Sequence, residues 1–318
     1  MNLRFVEAFY WVATLQSVTR AAEKLFLTQS AMSSRIAALE EELGVLLLDR
    51  RDRQFRLTVA GMRFSTYAQK LLEMQREIKA EMGAAQDQAM PLRLGAIESV
   101  LHSWLIPMVE RLRTAYPGLE FQLSVETTPV LIDQARRGTL DLIFAAQPAA
   151  GSDLRTRALP SMDMVFVGNA DLHRKLVYRP ADILGMDLLT FQRGSQPHVA
   201  LLDMFRQAGL EPRRVHTMSS ISAMTELAAD GFGIATLPRS AARKLQAHRA
   251  LRLLRLDPPL QPLPVYASFR SDPSSRVIET VSEAVFAFIE QQEGTVTTTA
   301  AVRRRGASVT RRIRKQGA

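Results

Sequence analysis

The spacing of the apolar residues changes once along the chain, at Pro91. Before that point apolar positions recur every three or four residues, the period of helices with one buried face. After it, short apolar runs alternate with helical stretches, the pattern of a sheet covered by helices. Such a chain predicts a helical head joined to an α/β body, and 318 residues suffice for two domains of roughly 100 to 200 residues each.

In the head, Leu3, Val6, Phe9, Tyr10 and Ala13 mark a first helix. A second starts near Ser17 or Thr19 and turns Ala21, Ala22 and Leu25 inward. After a turn at Phe26-Leu27, Thr28 is placed to cap a third, whose apolar residues are Ala31, Met32, Ile36, Leu39 and Leu43, and Gly44 stops it. Val45 to Leu48 and Phe55 to Leu57 are strand-like and enclose the charged run Asp49 to Gln54, which predicts a two-stranded wing. Thr58 caps a long helix with Phe64, Tyr67, Leu71, Met74, Ile78 and Met82 along one seam. That seam could pack on its own domain, but a helix of this length calls for a second helix beside it.

The body opens with a strand from Leu92 to Ile97, a helix from Ser99 to Leu112 and an alternating strand from Leu119 to Val125. A helix from Val130 to Arg137, stopped by Gly138, leads to a buried strand from Asp141 to Ala145. A second set runs through Val165 to Val167, Asp187 to Phe191, Val199 to Ala208, Ile221 to Ala229 and Gly231 to Leu237, so the body reads as two lobes. Leu263 to Phe269 and a helix near Arg276 to Glu290 return the chain to the first lobe, and two crossings make a hinge. The expected boundaries are 1–58 for the head, 59–90 for the long helix and 91–294 for the body, with lobe 1 at about 91–163 and 267–294 and lobe 2 at about 164–266. Residues 295–318 lack apolar periodicity and read as a basic disordered tail.

Composition closes several classes. The chain contains no cysteine, which removes disulfides and thiolate metal sites and fits a reducing compartment. Glu7 interrupts what would have to be a signal sequence, and no run approaches the roughly 18 apolar residues of a spanning helix, so a cytoplasmic, non-membrane protein is expected. The net charge of +9 argues less for nucleic acid than it first suggests, because residues 295–318 hold seven bases and no acid.

Ser17 to Leu43 form a helix-turn-helix pair, an arrangement that sets its second helix in the major groove of DNA. Gln29, Ser30, Ser33 and Ser34 then face base edges, with Arg35 beside them for a base or a phosphate. Thr28 with the free amides at that helix start can hold a phosphate, as can Arg50, Arg51 and Arg53 in the wing. The same residues would serve an amphipathic packing unit with a solvated face; the charged wing favours DNA.

The run from Ser17 to Val45, with Leu48-Asp-Arg50, Leu57 to Gly61, Gly138 to Leu142 and Ala229 to Pro238, resembles the LysR-type transcription regulators, over about residues 1 to 290. The resemblance implies a winged helix-turn-helix, a linker helix that pairs in a dimer, and an effector domain similar to type 2 periplasmic binding proteins, usually assembled as a tetramer. RNA polymerase is a further candidate partner. The chain departs from the family in carrying Ser30 where a proline is usual and Ser34 where an arginine is frequent, which alters the expected base preference.

In an open α/β sheet, ligands settle beyond the carboxyl ends of strands, where helix starts present free amides. Ser99 and Val100, Thr127 and Thr128, and Gln147 occupy such places in the first lobe. Phe191 to Ser195 and the loop Gly231-Phe232-Gly233 do so in the second, with His198 and Ser219 as weaker candidates. Each hydroxyl could equally serve as a cap; their convergence favours a ligand, and a small organic anion is expected. Ligand-driven closure of the cleft would then move the DNA-binding heads through the linker helices, as the family resemblance implies. No cofactor or metal is expected. The two competing classes are an enzyme and a solute receptor without a DNA role. Against the first, the five histidines lack metal-ligand spacing, and neither a phosphate loop nor a nucleophile elbow is present. Against the second stands the fused head.

Overall fold

The computed structural model describes residues 1–49, 55–82, 90–151, 154–246, 250–270, 272–273 and 278–291. Arg50, Arg51, Arg53 and the basic tail lie outside the described residues.

The head packs α1 (Leu3–Leu15), α2 (Val18–Lys24) and α3 (Gln29–Leu43) around Phe9, Trp11, Met32, Ile36 and Leu39, all buried. Each start is capped by the residue before it: Asn2 Oδ1 accepts from Arg4 N, Ser17 Oγ from Arg20 N, and Thr28 Oγ1 from Ala31 N. Gly44, at φ 66°, takes the left-handed turn that ends α3. At the end of α2 that turn falls on Phe26, φ 54°, whose amide donates to Glu23 O while Leu27 N donates to Ala22 O. A side chain at such an angle costs about 1 kcal/mol, so the head holds Phe26 there against its preference.

The wing is shorter than its apolar residues suggest. β1 covers Leu48–Asp49 and β2 Arg56–Leu57, while Val45 and Leu46 are exposed on the approach. α4 (Val59–Glu81) follows, with Ala68 and Leu72 buried in the core of the head and Phe64 and Leu71 packed against it. Tyr67, Met74 and Ile78 on the same helix, and Met82 just after it, stay exposed.

The body contains two five-stranded sheets of matching design. In lobe 1, β3 (Met90–Ala96) lies between β4 (Leu119–Val125) and β5 (Leu142–Ala145), all parallel. Between them run a continuous helical stretch and α7. The stretch comprises α5 (Glu98–Val100), a π-helical segment (Leu101–Leu105) and α6 (Ile106–Ala115), and α7 spans Thr128–Arg137. β6 (Arg155–Met162) leaves this sheet, and after Asp163 the chain enters lobe 2 as β7 (Met164–Asn169).

Lobe 2 continues with α8 (Pro180–Ile183), β8 (Asp187–Thr190), α9 (Gln196–Gln207), β9 (Arg214–Thr217), α10 (Ile221–Ala229), β10 (Ile234–Pro238), α11 (Arg239–Gln246) and β11 (Leu251–Leu254). Its strands stand in the order β11-β7-β10-β8-β9. β12 (Leu263–Phe269) then returns to lobe 1 and pairs antiparallel with both β5 and β6. Residues 279–291 are helical and belong to a separate compact unit. Among the described residues no helix is long and apolar enough to cross a membrane.

Gly61 on α4 sits where a Cβ would stand 2.1 Å from the carbonyl oxygen of Leu47. Because the obstacle is backbone, Gly61→Ala should destabilise the protein by about 1–3 kcal/mol despite alanine's better helix propensity. A lowered urea midpoint with an unchanged slope would show it.

Candidate functional site

Two regions gather the residues singled out from the sequence. The first is the start of α3. Gln29, Ser30, Ser33 and Ser34 are all exposed there, and Arg35 is half-buried. The hydroxyls at this end differ in what they do. Thr28 Oγ1 takes the Ala31 amide and lies 3.0 Å from Ser30 Oγ, and Ser34 Oγ donates to Ser30 O at 3.0 Å, so Thr28 and Ser34 serve the helix's own backbone and Ser30 pairs with the capping hydroxyl. Gln29 and Ser33 stand one turn apart on the same face, followed by the exposed Ala37.

Glu40, three turns further along α3 on the line of Gln29 and Ser33, was hidden from sequence reasoning because an acid in a helix reads as solvated surface. It is buried, and its Oε1 accepts from Leu47 N at 2.8 Å and Leu48 N at 3.0 Å. Thr58 adds a second tie, donating to Leu46 O at 2.7 Å. The wing is thereby fixed to the C-terminal end of α3, and the two elements form one body.

The second region is a cleft of about 520 Å³ between the lobes. Ser99, Thr127, Thr128, Gln147, Phe191, Ser195 and Ser219 line it. Four helix starts meet there: the 98–115 stretch and α7 from lobe 1, α9 and α10 from lobe 2. Ser220 spends its hydroxyl on the Ala223 amide, but Thr127 and Ser195 cap their helices without a side-chain bond. Ser195 Oγ and Gln196 Oε1 are buried and have no hydrogen-bond partner among the described residues. Polar groups left in that condition are costly, and a ligand is one way to satisfy them. Thr128 Oγ1 instead accepts from Ala146 N at 3.1 Å and fixes the shape of the wall.

Two residues expected in the cleft are elsewhere. Val100 is fully buried and its amide donates to Ile97 O, because successive residues of a helix point about 100° apart and only Ser99 faces the opening. Phe232 is not part of the lining; its ring meets that of His216 at 5.1 Å. His198 is also outside the lining, and burial, followed by the charge of Arg193, holds its imidazole below the usual range. The charged side chains of the lining are Glu98, Glu126 and Arg193. Glu98 lies 3.5 Å from His102 Nε2, one turn along the same helical stretch. Among the described residues no group of three histidines or acids could hold a metal.

Comparison with known proteins agrees with this division. Residues 3–62 match the family model described as bacterial regulatory helix-turn-helix protein, lysR family, and residues 85–289 match the LysR substrate binding domain. The HTH-type transcriptional regulator BenM of Acinetobacter baylyi is 26% identical over 292 residues, covering 90% of this chain and 95% of the relative. GltR of Bacillus subtilis, a regulator of the same type, is 27% identical over 240 residues, 76% of this chain and 80% of the relative. Among solved structures, a full-length OxyR variant from Pseudomonas aeruginosa superposes with a TM-score of 0.59 at 27% identity, covering 90% of this chain and 94% of that one.

Removing the carboxylate that ties the wing to α3 should be felt in both stability and binding. Glu40→Ala leaves the Leu47 and Leu48 amides without that acceptor and should cost about 2 kcal/mol of stability, read as a lowered urea midpoint.

Proposed function

We infer the working of this protein from one premise: the chain belongs to the LysR family of bacterial regulators, and it is a DNA-binding transcription regulator with an effector-binding domain. The observation that supports the DNA contact in detail is the start of α3, where Thr28 closes the cap and leaves Gln29 and Ser33 exposed one turn apart. In the major groove, Gln29 is suited to the adenine edge, Ser33 to either kind of edge, and Arg35 to a guanine or a phosphate. The wing, carrying Arg50, Arg51 and Arg53, grips the backbone.

The effector is a small organic anion. Four helix starts direct free amides and positive dipole ends at the cleft, and Arg193 stands on its wall. Glu98 and Glu126 share that wall, so the favoured anion also carries hydrogen-bond donors. Sensing through a thiol is closed to this chain, which has no cysteine. The protein works in the cytoplasm, without catalysis. It pairs with a second copy through the exposed stripe of Tyr67, Met74, Ile78 and Met82, pairs of dimers make a tetramer, and RNA polymerase is the partner it acts upon. Closing the cleft favours one arrangement of the lobes, and the linker helices carry that change to the heads.

Gln29→Ala and Ser33→Ala should each reduce discrimination between the operator and random DNA by about 1–3 kcal/mol, whereas Arg50→Ala should weaken both equally. Footprinting with an unchanged operator preference in the double variant would displace α3 from the groove. For the cleft, calorimetry across small carboxylates and matched neutral and cationic analogues should show binding confined to the anions and lost in Ser195→Ala with Thr127→Val. Tight binding of the neutral compounds, indifferent to charge, would overturn the anion.

A further inference from the structure

α2 ends at Lys24, whose side chain reaches from the head into lobe 1. Its Nζ donates to Asp141 Oδ1 at 2.6 Å and lies 3.8 Å from Asp272 Oδ2. Only 10% of the side chain is exposed, and the ammonium stands 4.7 Å from the centre of the Trp11 ring. Around this contact the surfaces meet: the Phe26 ring comes to 5.9 Å from the Arg93 guanidinium, and Leu15 lies 3.0 Å from where a Cβ on Gly138 would be.

The charges at this contact are unequally committed. Asp141 accepts from Arg93 three times, from its backbone amide at 3.1 Å, from Nε at 3.0 Å and from Nη2 at 2.7 Å. Burial alone would raise the Asp141 carboxyl, but Arg93 and Lys24 together hold it below the usual carboxylate range. If Lys24 withdraws, Asp141 keeps its forked partner, and the ammonium is taken up by water. A buried pair that loses one member is strongly destabilised; this arrangement avoids that, because the pair inside lobe 1 is complete without the head.

The location of the contact gives it a use. Arg93 lies on β3 and Asp141 immediately precedes β5, its neighbour in the sheet. Followed to their carboxyl ends, these strands deliver Ile97 to Ser99 and Ala146 to Gln147 to the cleft. Lys24, in turn, is separated from the Thr28 cap of α3 only by the turn Leu25 to Leu27.

We propose that Lys24 is a releasable latch between the DNA-binding head and lobe 1, which sets the direction of α3 relative to the lobe and is broken and remade as the head reorients. Its purpose rests on the regulator reading above; the contact does not.

Because the chain has no cysteine, Thr19→Cys and Thr114→Cys can carry spin labels at two exposed positions, on α2 and α6, in full-length chains diluted with unlabelled protein. The label-to-label distance should be single and narrow with Lys24 in place. Lys24→Gln should add a longer population, and Lys24→Arg, which keeps the charge and the reach, should restore the single one. Lys24→Met, which retains the apolar stem over Trp11, serves the same purpose if the glutamine chain fails to fold. An unchanged distance in Lys24→Gln or Lys24→Met, or an arginine chain that behaves like the glutamine one, overturns the latch. The measurement involves no DNA, so a failure of the regulator reading, detected as lost operator preference in footprinting, is not mistaken for failure of the latch.

Discussion

A helix leaves its first amides without partners inside the helix, and the protein around it must supply acceptors or leave the amides for something else. Both candidate surfaces of this regulator are built on that shortage. At α3 the Thr28 hydroxyl answers one amide and the remaining positive end faces outward. In the cleft, α10 is answered by Ser220, while Thr127 and Ser195 leave their helices open. Proline follows within the first two positions of both α7 and α9, which fixes the backbone for a helix start without providing a donor there. The sheet beneath each start holds these ends in place, and the sheets are stiff because β5 and β10 are buried at every residue.

The helical head was legible from sequence because its signals are local. Caps at Ser17 and Thr28, the stop at Gly44 and the apolar steps of α3 all act within a few residues. The same holds for the strands buried on both faces, whose unbroken apolar runs resist any other reading. Harder to see were β6, β9 and β11, none of which was anticipated. β6 and β9 stand at the edges of their sheets; β6 exposes most of its residues and β9 buries none, so apolar alternation is faint. β11, at the opposite edge of lobe 2, has only four residues, which offer too little pattern to separate strand from loop.

The cleft shows a different limit. A place at the start of a helix says that a residue is near the opening, not which way it points. Ser99 and Val100 are adjacent in sequence and part company in space, one lining the cleft and the other filling the core. Phe232 follows α10 at the far end from its capped start, and its ring settles on His216. Glu40 was invisible for a third reason: its acceptors' partners, Leu47 and Leu48, are ordinary backbone amides that leave no mark in side-chain chemistry.

The π-helical segment Leu101–Leu105 has a consequence for the two-lobed arrangement. A wide turn accommodates one residue more than the regular helix and swings everything after it by about 100°. Ser99, before the wide turn, opens on the cleft, while Ser103, within it, receives Ser240 Oγ at 2.6 Å and Lys244 Nζ, through its carbonyl, at 2.6 Å. One rod therefore lines the cleft near its tip and braces the opposite lobe a single turn further on. Any rolling of that rod about its own axis is communicated to both halves together, much as a camshaft drives two followers from one rotation.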